Sequence, residues 1–288
     1  MIILNHATNW SFHIDSNSDA IIGHIKNMFS MLLSDAGQSG LFDSIFIEDC
    51  GGDDYLIRFS RGNHQVHMQG IETTLGFIGN ILYDSNYLRM DNIWYLHGGA
   101  CAIDKERAII LLAPRNVGKT TLTGLLCEKL GFTYLSDDIA PVQMDDLAVL
   151  PFPKSLYIRS PYLQNCLGSD YHMQFSDSYI FTKDESRQIS ERRQVAYFPA
   201  HKFASRGKYS IAAVFYLDRD SEYEESYCIP KSSASSFTIY LNNCRDSAQM
   251  IKNKDTAVKM IHKYPLWHLR FSESEDAIEL IKNTLCNI

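Results

Sequence analysis

The chain has 288 residues, of which 45% are hydrophobic and 12% aromatic, enough to bury a sizeable core in one large domain or two small ones. Its net charge of −7 at pH 7 argues against nucleic acid as a partner, because neutralising a phosphate backbone requires a basic surface. We therefore expect a peptide, protein or small-molecule substrate.

The seven cysteines are scattered and contain no C-x-x-C pair, so the sequence indicates neither a disulfide framework nor a zinc site. No apolar run approaches the roughly 20 residues that a membrane-spanning helix needs. The first residues also lack the charged start and apolar stretch of a signal peptide. These features predict a cytoplasmic protein with no membrane partner.

Residues 1–90 are predicted to form a smaller α+β subdomain, with a boundary near residue 90. Apolar residues at helical spacing predict helices within 21–32 and 71–82. Between them, two strand-like runs, 45–47 and 55–59, flank a glycine-rich turn. No residue in this region indicates chemistry.

Residues 91–288 are predicted to form the second and larger domain. Short apolar runs predict strands at 94–96, 108–112, 132–135 and 211–217. Apolar residues at helical spacing predict helices at 122–130, 250–261 and 277–281. The polar, aperiodic stretch 168–208 is predicted to be a long loop or a partly ordered excursion.

A candidate P-loop joins the strand at 108–112 to the helix at 122–130. It consists of Ala113, Pro114, Arg115, Asn116, Val117, Gly118, Lys119, Thr120 and Thr121. A phosphate-binding loop needs converging backbone N–H groups, a lysine for the terminal phosphates and a hydroxyl for Mg²⁺, all at the N-terminus of a helix. Ala113 replaces the first glycine of the G-x-x-x-x-G-K-[ST] pattern, which is tolerated if its φ is negative. The segment predicts binding of ATP and Mg²⁺; the alternative is a strand-to-helix turn with a surface lysine.

Two adjacent carboxylates, Asp137 and Asp138, follow the strand at 132–135. Ligands of α/β sheets bind at the carboxyl ends of strands, so we expect both carboxylates to lie near the triphosphate. One can help to hold Mg²⁺ and the other can take the proton of an acceptor hydroxyl. The alternative is a solvated turn.

Two further residues invite a functional interpretation. His97, in the motif His97-Gly98-Gly99, precedes the strand of the candidate P-loop by one hairpin and can lie beside the phosphates, although a lone histidine is more often structural. Asp218 ends the apolar strand at 211–217, as does the Mg²⁺-binding aspartate of ordinary P-loop NTPases. The polar residues that follow Asp218 equally indicate a simple turn.

Together, Leu96-His97-Gly98-Gly99, the candidate P-loop and the segment 135–141 resemble the catalytic domain of HPr kinase/phosphorylase and its shorter relatives. The pattern is most similar to HPr-kinase-like proteins of peptide-biosynthesis clusters, including lasso-peptide precursor kinases. A Pro-x-Pro segment with a basic strand at 150–159, and a strand and helix within 264–278, also fit. The resemblance covers about residues 92–283.

This resemblance implies an α/β fold with a mixed-sheet core like that of phosphoenolpyruvate carboxykinase, and ATP-dependent transfer of a phosphoryl group to a Ser or Thr hydroxyl of a peptide or protein. It implies that Lys119 holds the β- and γ-phosphates and that Thr120 and Asp138 bind Mg²⁺. It also implies that Asp137 is the general base and that His97 supports it. The chain lacks the family's glycine-rich signature segment, and residues 1–90 do not resemble its regulatory domain. The resemblance therefore does not extend to phosphorolysis or to HPr as the target.

Three functions stay open at the level of sequence. The first is a Ser/Thr-directed kinase of a peptide or protein, such as a ribosomally made natural-product precursor. The second is a non-catalytic nucleotide-binding module that recruits a partner when ATP is bound. The third is a kinase of a small molecule such as a sugar or nucleoside. The sequence does not indicate the oligomeric state.

Overall fold

The computed structural model describes residues 2–6, 10–34, 41–60, 64–83, 92–158, 161–181, 187–199, 201–204, 206–244 and 253–288. The fold is mixed α/β with several sheets. Contacts divide the chain into two compact units, which consist of residues 1–89 with 172–197 and of residues 90–171 with 198–288. Among the described residues, no helix is long and apolar enough to cross a membrane.

The first unit contains a six-stranded mixed sheet and two helices. Its strands are β1 (Ile2–His6), β2 (Trp10–Ser16), β3 (Leu33–Ser34), β4 (Leu41–Gly51), β5 (Asp54–Phe59) and β6 (Gln65–Gln69), in the order β3-β1-β2-β4-β5-β6. Its helices are α1 (Asp19–Met28) and α2 (Ile71–Tyr83). Strands β2 and β4 are parallel and the other neighbours are antiparallel. The predicted strands and the second helix of this region are confirmed, and the helix predicted within 21–32 ends at Met28. Strands β1, β2, β3 and β6 had not been predicted.

The prediction of a long loop or partly ordered excursion at 168–208 is wrong for residues 172–181 and 187–197, which form two strands. Strands β13 (His172–Phe181) and β14 (Arg187–Tyr197) pair antiparallel and belong to the first unit. The pairing uses backbone groups, and its register runs from His172 opposite Tyr197 to Phe181 opposite Arg187. The many polar residues show no clear alternation with apolar ones, so the periodicity on which the prediction relied was absent.

The second unit contains the main sheet of the candidate site. Its strands are β7 (Ile93–Leu96), β8 (Gly98–Ala102), β9 (Arg107–Leu112), β10 (Thr133–Ser136), β11 (Ala140–Gln143), β12 (Leu156–Ile158), β15 (Ser210–Arg219), β16 (Tyr227–Pro230) and β17 (Leu266–Phe271). Its helices are α3 (Lys119–Leu130), α4 (Pro161–Cys166), α5 (Ser233–Asn242), α6 (Lys254–Lys263) and α7 (Ser274–Cys286). The main sheet has the order β10-β8-β9-β15-β17-β16, and β7 pairs with β11 in a small second sheet.

The three central strands β9, β15 and β17 run parallel, so their carboxyl ends meet at one edge of the sheet. Residues 108–112 are fully buried, as expected for a central parallel strand that is covered on both faces. The predicted strands and the helix α3 are confirmed. The helix predicted for 250–261 begins at Lys254, while Met250 and Ile251 lie outside the described residues.

The glycines that follow His97 allow close packing around β8. A Cβ on Gly98 would lie 2.7 Å from the carbonyl oxygen of Leu111, and a Cβ on Gly99 would lie 2.4 Å from the hydroxyl of Thr123 on α3. Real Cβ atoms do not approach so closely, so only glycine fits at these positions without movement of the neighbours. Two of the three residues of the His97-Gly98-Gly99 motif therefore have a packing role.

We expect Gly98→Ala to destabilise the protein by about 1–3 kcal/mol, because the added methyl group meets backbone that cannot rotate away. Thermal unfolding followed by circular dichroism measures this loss. Gly23→Ala in α1 is the matched control, since a Cβ there has nothing within 4 Å and alanine favours the helix. An unchanged melting temperature for Gly98→Ala would contradict the close packing of β8 on β9.

Candidate active site

The candidate P-loop makes a tight turn between β9 and α3. Asn116 and Gly118 have left-handed backbone conformations, with φ of 67° and 103°, and Gly118 is the N-cap of α3. Ala113 is buried and is not among the residues with positive φ, so the missing glycine needs no special conformation. The N–H groups of the first helical turn have no partner within the helix. Together with the helix dipole, they make this N-terminus suited to a phosphate.

Lys119 lies at the start of α3 and is only 6% exposed. Its Nζ donates to the carbonyl oxygens of Ala113 at 2.8 Å and Pro114 at 3.2 Å, and it lies 3.2 Å from Nε2 of His97. Burial lowers the pKa of Lys119, an effect that the carboxylates of Asp138 and Asp137 oppose. These contacts hold a desolvated ammonium group against the loop, where it can meet terminal phosphates.

The other predicted cofactor-binding residues differ in their exposure to solvent. Pro114, Arg115 and Asn116 are exposed at the tip of the candidate P-loop, whereas Val117, Gly118, Thr120 and Thr121 are half-buried.

Asp137 is the most buried carboxylate of the site, at 1% exposure. Its Oδ2 accepts a hydrogen bond of 2.8 Å from the Thr120 hydroxyl, and its Oδ1 is buried with no hydrogen-bond partner. Burial, and next the charge of Asp138, raise the pKa of Asp137 to about 7, although Thr120, Lys154 and Lys119 act in the opposite direction. A buried carboxylate oxygen without a donor leaves a coordination position that no residue of the protein fills and that a cation can take.

Asp138 differs from Asp137 in backbone conformation, exposure and partners. It follows the end of β10 in a left-handed conformation, with φ of 64°, which an aspartate tolerates better than most residues. Its side chain is 36% exposed and forms an ion pair of 3.5 Å with Lys154. The positive φ therefore directs one carboxylate toward Thr120 and the other toward solvent and Lys154.

His97 connects Lys119 to Asp138. Its Nδ1 lies 3.1 Å from the carbonyl oxygen of Asp138, which can only accept, so Nδ1 is the donor. Its Nε2 then presents a lone pair to the Lys119 ammonium group, as in a neutral imidazole. The backbone N–H of His97 donates to the carbonyl oxygen of Asn243 at 2.6 Å, which fixes the histidine to the end of α5.

The structure thus brings together the five predicted residues His97, Lys119, Thr120, Asp137 and Asp138. It adds two basic residues that the sequence did not assign to the site. Lys154 is paired with Asp138, and Arg219, at the end of β15, places its Nη1 3.7 Å from the position that a Cβ on Gly118 would occupy. The Nε of Arg219 donates to the carbonyl oxygen of Ser272 at 3.1 Å.

Asp218, the alternative Mg²⁺ ligand, is engaged by protein donors. Its Oδ1 accepts from the Tyr223 hydroxyl at 2.8 Å, and its Oδ2 lies 3.0 Å from Nε2 of His268. Asp137 instead keeps one oxygen without a donor and lies directly beside Thr120. These contacts favour Asp137 over Asp218 as a carboxylate next to a metal.

The donor set around Thr120 fits Mg²⁺. This hard cation binds one or two carboxylates and keeps water or phosphate oxygens in its remaining positions. Asp137 and Thr120 provide a carboxylate oxygen without a donor and a hydroxyl oxygen. The described part of the chain contains no cluster of three or more His, Cys, Asp or Glu that would enclose a metal completely. ATP fits equally, since Lys119 offers a cation and the first N–H groups of α3 have no acceptor within the helix.

Comparison with known proteins gives similarity to solved structures but no match at the level of sequence. No protein-family model matches the chain, and no curated protein sequence matches it. The structure of the Hpr(Ser) kinase/phosphatase from Coxiella burnetii is similar with a TM-score of 0.31 and 10% sequence identity, over 67% of this chain and 91% of that one. This similarity is too low to support a function, so any functional assignment rests on the geometry of the site.

Asp137 should make the metal-free protein less stable as the pH rises. Its pKa is raised in the folded state, so between about pH 4 and pH 7 the unfolded chain loses this proton while the folded chain keeps it. We expect Asp137→Asn to lack this pH-dependent loss of stability. Its melting temperature relative to that of the wild type should therefore increase as the pH rises through this window. Melting curves in excess EDTA measure the difference. Asp145→Asn, at an exposed position, is the control, and parallel profiles for Asp137→Asn and wild type would contradict the burial effect.

Proposed function

We propose that this protein is an ATP- and Mg²⁺-dependent phosphotransferase that phosphorylates a Ser or Thr hydroxyl of a peptide or protein. The observation that carries the proposal is the hydrogen bond between Thr120 and the buried Asp137. Thr120 directly follows Lys119 at the start of α3. A hydroxyl, a carboxylate and a lysine at a helix N-terminus are the groups that phosphoryl transfer requires.

Lys119 and the N–H groups at the start of α3 bind and orient the terminal phosphates. The nearly complete burial of Lys119 makes its charge act at low dielectric, where it stabilises developing negative charge more than it would in water. Mg²⁺, when bound through Thr120 and a carboxylate, neutralises further phosphate charge. The chain's own contribution is positioning and electrostatics, the main sources of catalysis in this reaction class.

We further propose that Asp137 is the carboxylate on the metal side and that Asp138 is the general base. Asp137 accepts from Thr120 and is buried, so an acceptor hydroxyl cannot easily reach it. Asp138 is partly exposed, and Lys154 holds it in place. This assignment exchanges the two roles that the resemblance to HPr kinase/phosphorylase implies.

His97 supports this arrangement by fixing both of its neighbours. Its ring donates to the backbone of Asp138 and accepts from Lys119, so that a change in either contact disturbs the base and the phosphate-binding lysine together. We therefore assign it a positioning role.

The test is phosphorylation of candidate peptides, beginning with those encoded beside the gene. After incubation with ATP and Mg²⁺, mass spectrometry should find an added phosphoryl group on a Ser or Thr residue, and ATP should be converted to ADP. Lys119→Ala is the matched negative control. ATP binding without turnover in the presence of any acceptor would favour the nucleotide-binding module. Phosphorylation of a sugar or nucleoside alone would favour the small-molecule kinase.

A further inference from the structure

A cluster of aromatic and charged side chains lies at the carboxyl ends of β15 and β17. We call it the tyrosine–arginine cluster, and it consists of Asp218, Tyr223, Tyr227, His268 and Arg270. The guanidinium carbon of Arg270 lies 3.6 Å from the ring centre of Tyr223 and 5.7 Å from that of Tyr227. Asp218 accepts from the Tyr223 hydroxyl and pairs with His268, which fixes the orientation of the Tyr223 ring.

This cluster and the candidate P-loop share one edge of the main sheet. Strand β15 pairs in parallel with β9, and its residue Tyr216 lies opposite Leu112, directly before the loop. Strand β17 is the next strand, with Arg270 opposite Asp218. At the usual strand spacing, the cluster lies about 10 Å from the P-loop strand along this edge.

The remaining residues of the site set the direction of a bound nucleotide. Asp137 and Asp138 follow β10, on the opposite side of β9 from β15. The terminal phosphate must lie on their side, because both the metal and the acceptor are needed there. The nucleoside end then points toward β15 and β17, and Arg219, against Gly118, lies on this route.

Arg270 is held against both tyrosines of the cluster and is partly exposed to solvent. Among the described residues it forms no ion pair, and its Nε is buried without a hydrogen-bond acceptor. A planar guanidinium group on a tyrosine ring is a platform for the flat face of a base. An anionic acceptor fits less well, because four exposed acidic residues flank Tyr223 in the sequence: Asp220, Glu222, Glu224 and Glu225.

We propose that the tyrosine–arginine cluster binds the base of the nucleotide by stacking. This inference rests on the proposed function, since it requires that the candidate P-loop binds a nucleoside triphosphate. The cluster then distinguishes ATP from a bare triphosphate, whereas Lys119 and the loop bind both.

Calorimetry with two probes, ATP and inorganic triphosphate, each with Mg²⁺, tests the proposal. We expect Tyr223→Ala and Arg270→Ala to raise the Kd for ATP by about 5- to 100-fold, the usual effect of losing one stacking contact, and to leave the Kd for triphosphate unchanged. Unchanged triphosphate binding also shows that the variants are folded. Arg107→Ala, at the opposite end of β9, is the control and should change neither constant.

The outcomes separate this inference from the proposed function. Equal weakening of both probes, or unchanged ATP binding, would overturn the base site while the phosphate site stands. Unchanged ATP affinity with a raised KM for the acceptor would assign the cluster to the acceptor instead. A wild-type protein that binds neither probe would refute the proposed function itself.

Discussion

Lys119→Ala should abolish detectable turnover, with a loss in kcat of about 10³-fold or more, and should remove most of the affinity for ATP. The lysine is nearly fully buried, so its charge acts on the phosphates at low dielectric in both the bound state and the transition state. Its Nζ contacts the carbonyl oxygens of Ala113 and Pro114 inside this loop, whereas Arg115 lies at the exposed tip. Turnover measured with the identified acceptor, and ATP affinity by calorimetry, provide the two readings.

The matched control for this prediction lies on the same helix. Lys129, in the last turn of α3, is paired with Glu275 and is partly exposed, so Lys129→Ala should leave both kcat and ATP affinity unchanged. If Lys119→Ala retained more than about half of the wild-type turnover, the candidate P-loop would have no role in phosphoryl transfer, because this reaction depends on electrostatic stabilisation.

The sequence predicted best those elements whose residues are buried on a regular pattern. Strands β9 and β15 are continuous apolar runs because they lie in the middle of a parallel sheet. Helix α5 was missed because it is rich in serine and buries only Ser236 and Tyr240, four residues apart. The hairpin of β13 and β14 was missed because its polar and apolar residues do not alternate regularly, and strand pairing by the backbone does not depend on such a pattern.

The same distinction applies to the site. The candidate P-loop and the pair Asp137 and Asp138 are local patterns, so the sequence was sufficient to select them. The contacts of Lys154 and Arg219 depend on strand order and on a left-handed residue, and neither can be derived from spacing. For that reason the sequence could not decide which aspartate meets Thr120.

The decisive experiment compares Asp137→Asn with Asp138→Asn, because asparagine keeps the shape of the side chain and removes the charge that a cation needs. If Asp137 is on the metal side, Asp137→Asn should lose Mg²⁺-dependent ATP affinity and turnover together. If Asp138 is the base, Asp138→Asn should keep ATP affinity and lower kcat by about 10²–10⁴, the usual share of general acid–base catalysis. The resemblance to HPr kinase/phosphorylase predicts the reverse result for both variants. Calorimetry and turnover on the same preparations decide between the two.

Two further variants make this comparison complete. At saturating ATP, Asp218→Asn should change neither the Mg²⁺ requirement nor kcat, since Tyr223 and His268 engage both of its oxygens. A raised Mg²⁺ requirement would return the protein to the conventional NTPase class. His97→Ala should lower kcat less than Asp138→Asn does, because the ring holds the backbone of Asp138 and does not itself take the proton. The double variant His97→Ala with Asp138→Asn should then lose clearly less than the sum of the two effects in free energy, as residues that act as one unit do. Strict additivity would mean that His97 acts on the phosphates through Lys119 and independently of the base.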